Sequence, residues 1–335
     1  MQKVRFGIAG FGLHAIKRLM PSFALSQHSE AVALSRRDAE KARASANEYH
    51  LAHAFTSTED LARCPEVDAV FVTSPDALHL ADVLAALRAG KPVLCEKPMA
   101  RNVAEVEQMI AAAKAAALPL GVAQVFRFEQ TTRRFRERIL NGNIGRPVLA
   151  RAEFTYPAHQ SARTWIADPQ LATGGPLADV GVHCIDAIRF ILQDDVIAVS
   201  CSAVQDEISG TLDAAGSINL EFVRKTIATV SVSARAQYRT FLEVVGEHGV
   251  LTAFDGLNVE RPVTIEFRPS ADPRQVEREV VDNRLAYVLQ LDAFAFAVRG
   301  TAPFPVPAEE GLRNQQVLDA AYRSWRSGRR QVLVE

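Results

Sequence analysis

Cysteine is scarce: four in 335 residues, at positions 64, 95, 184 and 201, with no CxxC pair among them. That leaves no basis for a disulfide framework or a metal site, and the four read as small apolar fillers suited to a reducing compartment. Charge of either sign is not in excess, since 38 Lys and Arg face 39 Asp and Glu for a net −1. Nucleic acid is therefore not expected as the main partner, because phosphate backbones select clustered Lys and Arg. No stretch approaches the roughly 18 uncharged apolar residues of a membrane span. No basic-then-apolar leader opens the chain, so export is not expected either, and the expected location is cytoplasmic. Internal repeats and low-complexity tracts are missing as well.

What is present is ordinary for a globular protein, 48% apolar and 23% charged, in a chain long enough for two cores. The first third alternates short apolar, β-branched runs (4–9, 31–35, 69–73, 93–95, 120–124) with alanine-rich helical patterns (14–25, 38–48, 77–89, 102–117). Such alternation implies crossover units and a parallel sheet. Near residue 150 the style changes. Strand-like runs at 148–154, 196–203, 214–222, 226–234 and 241–246 follow one another, interrupted by one helix at 176–192 and closed by helices at 284–299 and 308–327. The expected fold class is α/β: a doubly wound parallel-sheet domain at residues 1–123, then an α+β domain at 124–335 on an open, mainly antiparallel sheet.

The first strand runs into Gly10-Phe11-Gly12-Leu13-His14-Ala15, a G-x-G-x-x-A loop between strand and helix. In this dinucleotide fingerprint Gly10 permits the tight turn, Gly12 lets a pyrophosphate approach the backbone, and small Ala15 lets helix and strand pack closely. The helix N-terminus supplies N–H groups for the phosphates. NAD would call for an acid at the end of the second strand, but Ser35-Arg36-Arg37 stands there. A hydroxyl with guanidinium forks suits a 2′-phosphate, so NADP is preferred over NAD.

Two further stretches carry chemistry. Residues 92–98 run from an apolar strand into Glu96-Lys97-Pro98, where the proline biases Lys97 toward an extended conformation and so aims its side chain. The end of a parallel strand is the edge where open α/β sheets bind ligands. In the helix at 176–192, Asp179, His183 and Asp186 fall at i, i+4 and i+7, forming one polar stripe on an otherwise apolar helix. Oxidising a carbinol needs a group to take the hydroxyl proton and a cation to hold the developing alkoxide. A histidine beside a carboxylate suits the first task and Lys97 the second. Asp179 and His183 could equally be a satisfied structural pair.

With the glycine loop, Thr73-Ser74-Pro75-Asp76-Ala77-Leu78-His79, Glu96-Lys97-Pro98, Gly174-Gly175, Asp179-x-x-x-His183 and the Gly246-Glu247-His248-Gly249 turn, the chain resembles the Gfo/Idh/MocA family of NAD(P)-dependent oxidoreductases along nearly its whole length. The resemblance implies a Rossmann domain followed by a substrate-binding and oligomerisation domain, a sugar or polyol substrate, and a homodimer or homotetramer formed through the second sheet. It implies Lys97 polarising the oxygen, His183 as acid/base, and Asp179 orienting substrate and partners. Ser74, Pro75, His79, Glu96 and Lys97 join the glycine loop, Ser35, Arg36 and Arg37 as expected cofactor residues. Lys97, Asp179, His183, Arg127, Arg163 and Trp165 are the expected substrate residues, with Tyr156 and His159 as weaker candidates. The sequence departs from the family's pattern at Asp76, where Asn is frequent, and at Val125, which replaces a polar residue. His14 is unusual in the loop and is expected in solvent. Two other classes fit parts of this pattern: a glycoside hydrolase using NAD transiently, and a sensor that binds the dinucleotide without chemistry.

Overall fold

The computed structural model describes residues 2–160, 162–272 and 274–333, without the side chain of His159. The chain forms two compact units. The first comprises Met1–Gln124, Gln170–Thr173 and Tyr287–Gln315; the second comprises Val125–Pro169, Gly174–Ala286 and Gln316–Glu335.

In the first unit, strands β1 (Val4–Ala9), β2 (Ser29–Ser35), β3 (His53–Phe55), β4 (Ala69–Val72), β5 (Val93–Cys95) and β6 (Leu120–Val122) alternate with helices α1 (Met20–Leu25), α2 (Ala39–Glu48), α3 (Thr58–Arg63), α4 (His79–Arg88) and α5 (Val103–Ala116). The sheet is parallel throughout, in the order β3-β2-β1-β4-β5-β6. Its central strands are apolar on both faces because helices cover both, and all four residues of β4 are buried. The strand order reverses between β1 and β4, the switch point at which such sheets bind ligands.

Local chemistry sets the helix ends. Asp38 caps α2 by accepting the Glu40 and Lys41 N–H groups, Ser57 caps α3 through the Asp60 N–H, and Asn102 caps α5 through the Glu105 N–H. The helix expected at 14–25 opens as a wide π turn, Ala15–Leu19, before α1. Pro21 has no N–H to return to the carbonyl one turn back, and the wider turn just before it is a common response.

The return of Tyr287–Gln315 to the first unit is not captured by a single cut at residue 123. Helix α8 (Ala286–Val298) brings Phe294 within 6.2 Å of Phe6 and 5.2 Å of Phe304, ring centre to ring centre. Val122 then donates its N–H to the Val306 carbonyl, so the β6 edge is closed by this returning segment. Apolar burial against the sheet outweighs sequence order here.

The second unit is built on nine strands in the order β14-β13-β12-β11-β7-β10-β9-β8-β15. They are β7 (Pro147–Thr155), β8 (Val196–Gln205), β9 (Asp213–Phe222), β10 (Ile227–Ser233), β11 (Arg239–Gly246), β12 (Gly249–Phe254), β13 (Pro262–Pro269), β14 (Glu277–Asp282) and β15 (Gln331–Val332). Every pairing is antiparallel except β7 with β10. Helix α6 (Gln130–Leu140), helix α7 (Val182–Leu192) and the later turns of α9 (Ala308–Ser327) belong to this unit. One sheet face carries buried Ala152, Val230, Leu242, Leu251 and Ile265; the other carries Leu149, Ile227, Phe254 and Val280, all exposed. That alternation is the period-two pattern of a sheet covered on one side.

Candidate functional site

The first unit gathers its chemistry at the carboxyl ends of β1, β4 and β5. Gly10 has φ +77°, and a Cβ there would lie 2.5 Å from the Ser74 backbone, so only glycine lets the β1 and β4 loops approach this closely. A Cβ on Gly12 would meet nothing nearer than the Gly10 carbonyl at 3.7 Å. The loop is thus open in front of Gly12 with a helix beginning just beyond, which fits a dinucleotide pyrophosphate. Phe11 turns away from this opening: it is buried, its ring is 5.5 Å from Tyr49, and its N–H bonds the Ser35 carbonyl. Leu13 is half-buried.

At the end of β2 the three expected residues separate. Ser35 is buried and its hydroxyl accepts from the Gly10 N–H, bracing the glycine loop. Arg36 donates to the Ser45 hydroxyl at 2.7 Å. Arg37 is exposed. The carboxylate of Asp38 is engaged at the start of α2, whose N–H groups hold it below its ordinary range.

Three residues expected at the cofactor have partners in the scaffold. His79 is buried, with Nδ1 3.0 Å from the Pro98 carbonyl and Nε2 2.8 Å from the Ser74 carbonyl. Two acceptors require two N–H donors, so the ring is an imidazolium that ties the β4 loop to the turn after β5. Burial opposes that charge, but the Cys95 sulfur, the Asp76 carboxylate and the Ser74 carbonyl raise its pKa to about 10. Ser74 donates to Asp82 at 2.6 Å. Glu96 is 2.9 Å from His14 Nε2 and also accepts the Lys97 N–H at 3.2 Å. His14, expected in solvent, is therefore a partner of the Glu96 carboxylate. Pro75 is half-buried and begins the turn at Asp76–Leu78. Asp76 accepts the Thr173 N–H at 3.0 Å and Ala77 donates to the Leu171 carbonyl, so this loop secures the 170–173 segment. Lys97 is half-buried, and the Lys97–Pro98 peptide is cis.

In the second unit the polar stripe is divided among different partners. Asp179 lies in a π turn, Leu177–Gly181, that leads into α7. It accepts from the Tyr156 hydroxyl at 2.6 Å and from both Arg163 nitrogens at 2.9 and 3.3 Å. Burial and the Asp179 charge hold the Tyr156 phenol well above its usual range, so it stays a donor. Arg163 was expected at the substrate and here grips the neighbouring carboxylate. His183 is half-buried between aromatic rings, 4.6 Å from the Phe126 centroid and 6.4 Å from that of Phe154. Trp165 is half-buried on a short turn, Thr164–Ala167. His159 falls outside the described side chains. Asp186 forms a nearly sealed pair with Arg127, its oxygens 2.7–3.1 Å from the guanidinium. Arg127 also lies 5.5 Å from the Phe190 ring centre. Arg127 was expected to meet substrate; desolvation makes its pairing with Asp186 the natural state of both. Val125 is buried.

Two residues that organise this end of the unit carry no motif. Asp213, buried, accepts the N–H groups of Gly175 and Leu177 and the hydroxyl of Tyr322, capping the turn that presents Asp179. Burial outweighs those donors and pushes its carboxyl up. A Cβ on Gly174 would sit 1.8 Å from the Tyr322 hydroxyl, and one on Gly175 1.8 Å from the Asp213 carbonyl oxygen. The glycine pair in the sequence signals that close approach; nothing in the sequence names Asp213 or Tyr322 as the reason.

A reversing parallel sheet with an open glycine loop at its switch point, and a helix carrying Asp179 and His183 in a second unit, define a dinucleotide-dependent oxidoreductase class. Comparisons with known proteins fix the family. The family description "Oxidoreductase family, NAD-binding Rossmann fold" fits residues 4–124, and "GFO/IDH/MocA C-terminal domain" fits residues 132–252. The chain belongs to the Gfo/Idh/MocA family and is an NAD(P)-dependent oxidoreductase. It is 32% identical to the 1,5-anhydro-D-fructose reductase of Ensifer adhaerens over 84% of this chain and 85% of that protein. It is 30% identical to a D-xylose 1-dehydrogenase (NADP(+)) of Haloferax volcanii over 96% of this chain and 98% of that one. Among solved structures, the aldose-aldose oxidoreductase of Caulobacter crescentus complexed with glycerol superposes with a TM-score of 0.91 at 25% identity, covering 99% of this chain and 100% of that chain. Among the described residues, no helix is long and apolar enough to cross a membrane.

Proposed function

We propose that this enzyme is an NADP-preferring dehydrogenase or reductase of a sugar, polyol or related cyclic diol, with His183 as acid/base and Lys97 polarising the substrate oxygen. The observation that carries the reading is the state of Asp179. Its carboxylate already accepts from a tyrosine hydroxyl and a guanidinium, which suits it to orienting neighbours and unsuits it to carrying a proton. The imidazole of His183, one turn on, is the kind of side chain suited to taking and returning that proton. Lys97 supplies a compact cation for an oxygen gaining negative charge.

Gly10, Gly12, Leu13 and the helix start would hold the pyrophosphate, and Arg37 would meet a 2′-phosphate. Arg37 is the exposed cation at the end of β2, and the one nearby carboxylate in the sequence, Asp38, is committed to capping α2. When bound, the nicotinamide supplies the two-electron redox chemistry. The names of the reductase and dehydrogenase relatives, which act on an anhydro-sugar and a pentose, support a sugar-like substrate. The exposed sheet face with Leu149, Ile227, Phe254 and Val280 supports a homodimer or homotetramer joined there. Four free, buried cysteines suit a cytoplasmic enzyme.

Lys97→Ala tests the assignment. A carbohydrate and polyol panel run with NADP and NAD in parallel identifies the substrate by nicotinamide absorbance. The variant is then expected to lose turnover by about three orders of magnitude, roughly 4 kcal/mol of barrier, while binding the dinucleotide nearly as before. Near-normal turnover in Lys97→Ala would falsify the role.

A further inference from the structure

His14 belongs to neither the glycine fingerprint nor the Glu96-Lys97-Pro98 turn in its chemistry, yet it lies between them. It precedes the π turn at Ala15–Leu19, and its Nε2 reaches within 2.9 Å of Glu96 Oε1. The two atoms are in polar contact, although the approach is off the axis of a well-formed hydrogen bond. The other Glu96 oxygen accepts the Lys97 N–H. The far side of the His14 ring meets Tyr287, edge to face at 5.7 Å between centres, where the returning segment joins the unit. Three stretches distant in sequence thus converge on one imidazole. Glu96 is only 12% exposed at its side chain and His14 30%, so solvent screens the pair less than it would a surface contact. Although burial opposes its charge, Glu96 is held below its ordinary range by His14 first and Lys97 second.

We infer that His14 is a positioning residue, a strut that sets the Glu96-Lys97 turn against the dinucleotide loop so that both present to one cofactor in fixed register. The inference rests on the proposed dinucleotide site, and all the geometry it uses lies within the first unit. Without the strut the loop and the turn must be ordered when the cofactor binds, which weakens binding by their ordering entropy. A polar contact of this burial corresponds to about tenfold in affinity.

The test is a double-mutant cycle on the full-length protein: His14→Ala, Glu96→Gln and the pair together, each titrated with NADPH and NADH by fluorescence and each melted without ligand. Either single variant is expected to weaken dinucleotide binding about tenfold, and the double variant no more than about threefold beyond the weaker single, because both remove one interaction. The melting temperature without ligand is expected to move little in His14→Ala. Two results overturn the strut alone: unchanged affinity in His14→Ala, or losses that multiply to about a hundredfold in the double variant. A wild-type protein that binds neither dinucleotide overturns the proposed function and the strut with it.

Discussion

Arg127→Met distinguishes a scaffold residue from a substrate residue. The guanidinium is 8% exposed and Asp186 1%, and they meet through three contacts of 2.7–3.1 Å. Removing the cation while keeping its stem takes from a carboxylate in a dry site the guanidinium that pairs with it at 2.7–3.1 Å. The cost of breaking such a pair by one partner is about 3–5 kcal/mol. The contact with Phe190 adds roughly 0.5–1 kcal/mol, part of which Met recovers by packing. For a unit of roughly 150–250 residues, 1 kcal/mol moves the melting temperature by about 2–4 °C, so a drop of about 6–20 °C is expected. The companion Arg127→Met/Asp186→Leu should recover more than half of it, since an apolar pair carries no desolvation penalty. The assay is thermal and urea unfolding followed by circular dichroism, alongside KM for the substrate identified above. If Arg127→Met melted within about 2 °C of wild type while KM rose tenfold or more, the pair would not be structural and Arg127 would belong with the substrate.

Three further outcomes can be measured directly. Glu129 is fully buried and burial raises its pKa far above the usual carboxylate range against weak opposition from the Asn258 N–H, so it folds as the neutral acid. A raised folded pKa contributes stability that is complete below about pH 4.5 and is lost as pH rises toward the folded value; Glu129→Gln should therefore flatten the pH dependence of melting above pH 5 and stabilise at pH 8, and a variant less stable than wild type at pH 8 would refute this. Gly175→Ala drives a Cβ into the Asp213 backbone and should cost about 3 kcal/mol or more, whereas Gly12→Ala should melt like wild type and lose dinucleotide affinity; equal melting of the two would contradict the contact geometry. Arg37→Glu should weaken NADPH binding at least about tenfold relative to NADH, and an unchanged NADPH/NADH ratio would remove Arg37 from the 2′-phosphate.

How far the fold was legible depended on whether a residue's reason lay nearby in sequence. The crossover units of the first unit were readable because β4, β5 and β6 are buried along their whole length and helices α2, α4 and α5 run 10, 10 and 14 residues. Strand β3 was not, since three half-buried residues carry no periodic signal. Strands β14 and β15 lie at the two edges of the second sheet, and β14, with Glu277, Arg278, Glu279 and Asp282 around two valines, carries little apolar signal. At the candidate site, the motifs named Lys97, Asp179 and His183. They could not say that Arg127 would be spent on Asp186, or that Arg163 and Tyr156 would meet at Asp179. Those pairings span 59, 16 and 23 positions, and only the folded chain brings them together.

The glycines make the same point from the other side. Gly10 and Gly175 both sit in recognisable motifs, and a motif reading assigns each to a turn or a helix entry. In the folded chain Gly10 is required by positive φ and by Ser74, whereas Gly175 is required by Asp213 alone, at a backbone conformation any residue could adopt. Asp213 reaches that position because β9 carries it and because its carboxylate caps the turn bearing Asp179. Removing the cap while leaving the glycine, as in Asp213→Ala, should therefore loosen the presentation of Asp179 without opening a clash. The expected signature is a fall in kcat larger than the rise in KM, with dinucleotide affinity unchanged because the residues proposed to hold the dinucleotide lie in the first unit. A variant that weakened the dinucleotide as much as it slowed turnover would show that the cap holds more than the catalytic turn.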